Sequence, residues 1–140
     1  MKKTKYIEKI LEMQKNSAAE YLGIKPVDFD ENFIELHMPI SEKVKQPYGI
    51  LHGGMNMVLA ESAASIHAAY GRNLDEEVSV GIEINGSHVG MASDGNVKAI
   101  AKVANRTKNF IVHTVEIWHI ETDKLLSTAR VTNYYKKINK

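Results

Sequence analysis

QPYGILHGGMNMVLAESAASIHAAY, Gln46–Tyr70, sets the architecture of this chain. From Met55 to Tyr70 it is rich in Ala, Met, Leu and Ile and has no proline, while Gly49, Gly53 and Gly54 crowd its start, so the sequence predicts a loop entering one long helix. Such a helix is apolar nearly all round and has to be wrapped by the rest of the protein. Glu61 is its only formal charge. A lone carboxylate is costly to bury, so Glu61 needs partners, such as Ser62, Ser65 or a backbone group, or a chemical task.

The first N–H groups of a helix have no partners within it and carry partial positive charge. With no side chains at Gly53 and Gly54, a ligand oxygen could approach those groups; alternatively the glycines only let the loop turn and the helix pack closely on a sheet. Distance constrains the first option. Eight residue steps from Gly53 to Glu61 span about 12 Å, whereas a carboxylate and an oxyanion donor serving one carbonyl must both lie about 3 Å from it. If both groups act on one substrate, they come from two copies of the chain, and a symmetric dimer makes two such sites.

Gln46, Pro47, Gly49, Leu51, His52, Gly53 and Gly54, followed by Glu61 and Ser62, form a pattern that resembles the signature of hotdog-fold acyl-CoA thioesterases of the 4-hydroxybenzoyl-CoA and 1,4-dihydroxy-2-naphthoyl-CoA thioesterase type, within the phenylacetate thioesterase-like superfamily. The similarity extends to VGIEINGSHVG, Val80–Gly90, and in element order to most of the chain. It implies Glu61 as nucleophile or general base toward a thioester carbonyl, and Gly53 as the backbone donor that polarises its oxygen. Gln46 and His52 match positions near that oxygen, although either could instead fix the loop. His88 matches a position lining the acyl pocket, and Gly54, Ser62, Ser65 and Val89 fall in the expected substrate-binding set. Close relatives carry an arginine where this chain has Gly90, near the nucleotide end of coenzyme A. Arg106 and Lys108 are candidate replacements for that phosphate contact, or simply a solvated charged turn.

The chain has 140 residues, 44% of them hydrophobic, with a net charge of +1 and no cysteine. This describes one domain, residues 1–140, with room for a real core, no reason to expect nucleic acid or membrane as partner, and neither disulfides nor thiolate chemistry. The basic start MKKTKYIEKILEMQKN lacks the apolar core of a signal peptide, so a cytoplasmic protein is the default expectation.

Taken in order, Thr4 to Lys15 has apolar residues at helical spacing, and Ser17 and Gly23 bracket a short second helix, Ala18 to Leu22. Ile24–Phe29 and Phe33–Ile40 read as a hairpin, with His37 on its solvent side. Ser41–Leu51 reads as a loop, with Gln46 held extended by Pro47. After the long helix, Val78, Val80, Ile82 and Ile84 alternate with Ser79, Gly81, Glu83 and Asn85, and His88 continues the apolar parity toward the helix. Asn96–Ala104, Phe110–Ile120 and Leu125–Tyr135 complete four strands, the second apolar on both faces, and the tail Lys136–Lys140 is expected to fray. One antiparallel sheet enclosing one apolar helix is an α+β architecture, the hotdog arrangement that the resemblance also implies.

The expected function is hydrolysis of an aryl or medium-chain acyl-CoA to free acid and coenzyme A, without metal or cofactor, by a homodimer with shared sites, itself paired into a dimer of dimers. A non-catalytic acyl-CoA-binding module is the rival from another class, and a dehydratase or hydratase on the same fold is a second. His67, His113 and His119 have no assigned role, and no pair of them shows metal-ligand spacing.

Overall fold

The structure, a computed structural model, describes residues 2–139. Helix α1 (Lys3–Met13) and the short α2 (Ala18–Leu22) precede strands β1 (Lys25–Phe29) and β2 (Phe33–Pro39). Ser17 caps α2, and Gly23 ends it in the left-handed region at φ 75°, where a side chain is disfavoured. The loop read between residues 41 and 51 contains a 3-10 turn, Glu42–Val44, which buries Val44. Helix α3 (Gly53–Ala69) follows, then β3 (Glu77–His88), β4 (Asn96–Arg106), β5 (Phe110–His119) and β6 (Lys124–Lys137).

The six strands form one antiparallel sheet in the order β1-β2-β4-β5-β6-β3. Because β2 and β3 stand far apart in that order, the connection between them has to cross the sheet. Helix α3 is that crossing, and it packs on β2, β4, β5, β6 and β3. Leu59, Ala60, Ala63 and Ala64 are fully buried along it, and Leu36, Met38, Val97, Ala99, Ala101 and Ile117 meet them from the sheet. The alanines let helix and sheet approach closely. Truncating Leu59 to Ala in such a core costs about 2–5 kcal/mol.

Strand register assembles rows across the sheet. Leu36, Ala99, Ile117, Ser127 and His88 are successive partners, so a polar pair ends an apolar row. A second run ends Ile111, Asn133, Gly81.

Strand β3 departs from the sequence parity. Val78, Val80 and Ile82 are 37%, 36% and 55% exposed, while Ser79 and Gly81 face the helix. A bulge between Gly81 and Glu83 explains this, because an extra residue reverses which face later side chains occupy. Ile84 and His88 therefore face α3 as expected, and the earlier apolar set does not. His37 is half-buried and paired with Glu35 at 2.7 Å rather than free in solvent. The C-terminal segment also differs from expectation: Lys136 and Lys137 belong to β6, with Lys137 Nζ 3.1 Å from Glu77 Oε2. Lys140 lies outside the described residues.

Candidate active site

At the entrance of α3 the N–H groups are unequally engaged. His52 is the N-cap, and its Nδ1 accepts the Gly54 N–H at 2.8 Å. The Met55 N–H donates to the His52 carbonyl at 2.9 Å. No such bond engages the Gly53 N–H among the described residues. The imidazole of His52 thus closes one possible anion contact and leaves the Gly53 donor open. A Cβ on Gly54 would lie 2.9 Å from that imidazole, so glycine there serves the cap.

Gln46 braces the approach loop. Its side-chain oxygen accepts from the Tyr48 N–H, its N–H donates to the Ile50 carbonyl at 2.9 Å, and its carbonyl accepts from Gly49 at 2.9 Å. Gly49 adopts φ 83°, a conformation that requires glycine in practice. The amide nitrogen of Gln46 remains available as a donor.

His88 reaches the same entrance from the end of β3. A Cβ on Gly53 would sit 2.5 Å from its Nε2, so the missing side chain at residue 53 is the space the imidazole uses. His88 Nδ1 is 2.8 Å from Ser127 Oγ, and Ser127 Oγ is 2.9 Å from Asn56 Nδ2. Val89 and Gly90 continue outward, their N–H groups donating to the Leu126 carbonyl at 2.8 and 3.1 Å.

Glu61 is half-buried two turns further along α3, and its carboxylate makes no hydrogen bond or ion pair with the described residues. It lies against the backbone of β3, where a Cβ on Gly81 would meet Oε1 at 2.6 Å. Neither serine offered as its partner holds it. Ser62 Oγ donates to the Val58 carbonyl at 2.7 Å, and Ser65 Oγ accepts from Asn133 Nδ2 at 2.9 Å. The carboxylate is thus not held in place by a hydrogen bond or ion pair from the described residues.

Arg106 and Lys108 lie elsewhere. Arg106 Nη2 donates to the Glu31 carbonyl at 2.8 Å, and the Lys108 carbonyl accepts from Arg72, just beyond the C-terminal end of α3. The 17 residues of α3 put that end roughly 25 Å from Gly53. Within one chain these cations cannot share a ligand group with Gly53. Lys124 is closer to Gly90: its Cε is 3.1 Å from where a Cβ on residue 90 would be, and the Leu125 carbonyl oxygen is 2.6 Å from that point. An arginine at residue 90 has no room in this backbone.

Two buried histidines sit at the far end of the helix. His67 Nε2 is 2.7 Å from the Asp30 carbonyl oxygen and must carry its proton there, so His67 Nδ1 accepts from His113 Nε2 at 2.7 Å. Burial pushes the His113 imidazole down to about 3, with His67 and Arg106 adding to the effect, and burial also lowers His67 against the opposing pull of the Asp30 carbonyl. This pair is neutral structural filling. His119 likewise bridges Asp94 and Thr122 at 2.8 and 2.7 Å.

Asn56, Ser127, Gly81 and Lys124 escaped the sequence reading. Ser127 gains meaning only from its register against His88, and Gly81 only from the packing of Glu61 upon it.

The chain matches known proteins over most of its length. A model of the Thioesterase superfamily matches residues 48–126, more than half of the chain. The 1,4-dihydroxy-2-naphthoyl-CoA hydrolase of Listeria monocytogenes is 40% identical over 121 residues, covering 86% of this chain and 97% of that protein. The enzyme of the same name from Escherichia coli is 33% identical over 126 residues, 90% of this chain and 91% of its own. A solved structure of a mutant of thioesterase PA1618 from Pseudomonas aeruginosa superposes with TM-score 0.90 at 29% identity, covering 94% of each chain. The chain belongs to the thioesterase superfamily and has the hotdog fold.

Proposed function

We propose that the protein hydrolyses an aryl or medium-chain acyl-CoA to the free acid and coenzyme A, in a homodimer whose sites each draw on both chains. The observation that carries this reading is the open Gly53 N–H, with the His52 imidazole capping the next N–H and the His88 imidazole packed against Gly53. A thioester oxygen bound there gains negative charge as the carbonyl is attacked, and a fixed donor stabilises that charge more than it stabilises the ground state. Glu61 either attacks the carbonyl directly, releasing coenzyme A as the thiolate and leaving a mixed anhydride that water then cleaves to the free acid, or takes a proton from a water that attacks and expels the thiolate in its place. No further cofactor enters this chemistry, since coenzyme A is part of the substrate.

The dimer follows from two features. Gly53 and Glu61 of one chain are about 12 Å apart along the helix, too far to serve one carbonyl. Strand β3 is an edge with Val78, Val80 and Ile82 exposed, and Glu61 lies against that same strand at Gly81. Pairing β3 with its copy covers the edge and brings each carboxylate to the seam. Pairing of two dimers, and a cytoplasmic location, extend this reading. Lys124, whose stem runs over Gly90, supports contact with a coenzyme A phosphate in place of the arginine of the resembled family.

Free-thiol release from a panel of aryl and fatty acyl-CoAs tests the proposal. Turnover of at least one class, abolished about a hundredfold or more in Glu61→Gln, is expected. Binding without thiol release across the panel would leave a ligand-binding module instead.

A further inference from the structure

Ser127 is fully buried at the sheet position opposite His88, where the two polar residues end an otherwise apolar row. Its hydroxyl touches two groups among the described residues, Asn56 Nδ2 at 2.9 Å and His88 Nδ1 at 2.8 Å. Asn56 is buried as well, and its Oδ1 has no partner. The proton count along this chain has one economical solution. The structure sets Nδ2 toward Ser127, and in that orientation the amide donates to the hydroxyl oxygen. The Ser127 oxygen has a single proton, and the only acceptor remaining in contact with it is His88 Nδ1. An imidazole that accepts at Nδ1 carries its proton at Nε2 when neutral. Nε2 is the ring atom nearest the vacant Cβ position of Gly53, at 2.5 Å.

We propose that Asn56 and Ser127 are positioning residues that hold His88 in its Nε2–H form, so that its imidazole presents a second hydrogen-bond donor beside the open Gly53 N–H. The catalytic use of this donor rests on the thioesterase reading above; the imidazole form does not. Without the relay, His88 would exchange between two forms, and the Nδ1–H form offers an acceptor at the entrance, which repels a developing oxyanion.

Long-range nitrogen–proton NMR of histidine-labelled parent protein reads the imidazole form directly. Nδ1 as acceptor and Nε2 protonated at neutral pH is expected, shifting to a mixture in Asn56→Ala. A protonated Nδ1 in the parent overturns the proposal, whatever the variants do. A kinetic cycle then separates positioning from mere packing. Ser127→Ala should lower kcat roughly tenfold, the loss typical of an orienting partner, with KM moving less. In the His88→Gln background the same change should have little further effect, because glutamine carries an N–H donor but no polar atom at the Nδ1 position for Ser127 to orient. An equal loss in both backgrounds, in protein that is folded by circular dichroism, also overturns it. The two readings fail differently: a chain that hydrolyses no acyl-CoA defeats the thioesterase assignment, whereas the wrong imidazole form in an active enzyme defeats this one.

Discussion

A methyl group on residue 81 would meet Glu61 Oε1 at 2.6 Å, and that atom is the far end of a side chain able to swing away. Gly81→Ala should therefore cost little stability while displacing the carboxylate by about an ångström, enough to lower turnover tenfold or more. Unchanged kcat in this variant would remove Glu61 from the chemistry as surely as an active Glu61→Gln would. A second residue-scale effect concerns His113. Its folded value, about 3, lies below the ordinary 6.5, so the unfolded chain binds a proton more readily between those values. The contribution to stability is complete above pH 6.5 and is lost progressively as pH falls toward 3. By pH 5 the loss from this residue alone is about 2 kcal/mol. Urea unfolding at pH 7.5 and 5.0 should show it, and His113→Leu should flatten the dependence.

At the scale of elements, β3 is an edge strand carrying an apolar outer row before its bulge and the polar outer residues Glu83, Asn85 and Ser87 after it. Edge strands of monomeric proteins are usually blunted by charge or proline. Here Val78, Val80 and Ile82 are exposed, and Glu83 is the one charge among the exposed positions of the strand. Ile82→Lys should accordingly leave the monomer folded, shift sedimentation from dimer to monomer and abolish activity, since each site would lose its second chain. A monomer retaining full activity would show that one chain suffices.

For the whole molecule, the separation of Gly53 from Glu61 allows a complementation experiment. A dimer of one Glu61→Gln chain and one Gly53→Pro chain holds one site with both defects and one with neither. Random exchange of equal amounts of two inactive proteins gives about half heterodimers, each with one intact site, so activity should recover to about a quarter of the parental level. Exchange demonstrated by mass without recovery would place both groups in one chain.

Local pattern determined most of the elements: a run of small apolar helix formers marked α3, alternation marked β2 and β4, and a stretch apolar on both faces marked β5, because local burial patterns follow the geometry of a single helix or strand. The glycine entrance and Glu61 were legible for the same reason, one chemically conspicuous group in a uniform background, and so was their separation along the helix. Tertiary structure decided the rest. The bulge at Ile82 reversed the facing of β3, and no local pattern announces where an extra residue is inserted. The crossing of α3 between distant strands placed Arg106 and Lys108 at the opposite end from Gly53, which sequence distance does not encode. Ser127 reads as an ordinary strand serine until register sets it against His88 and helix packing sets it against Asn56; hydrogen bonds between residues 39 and 71 positions apart exist only once the sheet has closed on the helix.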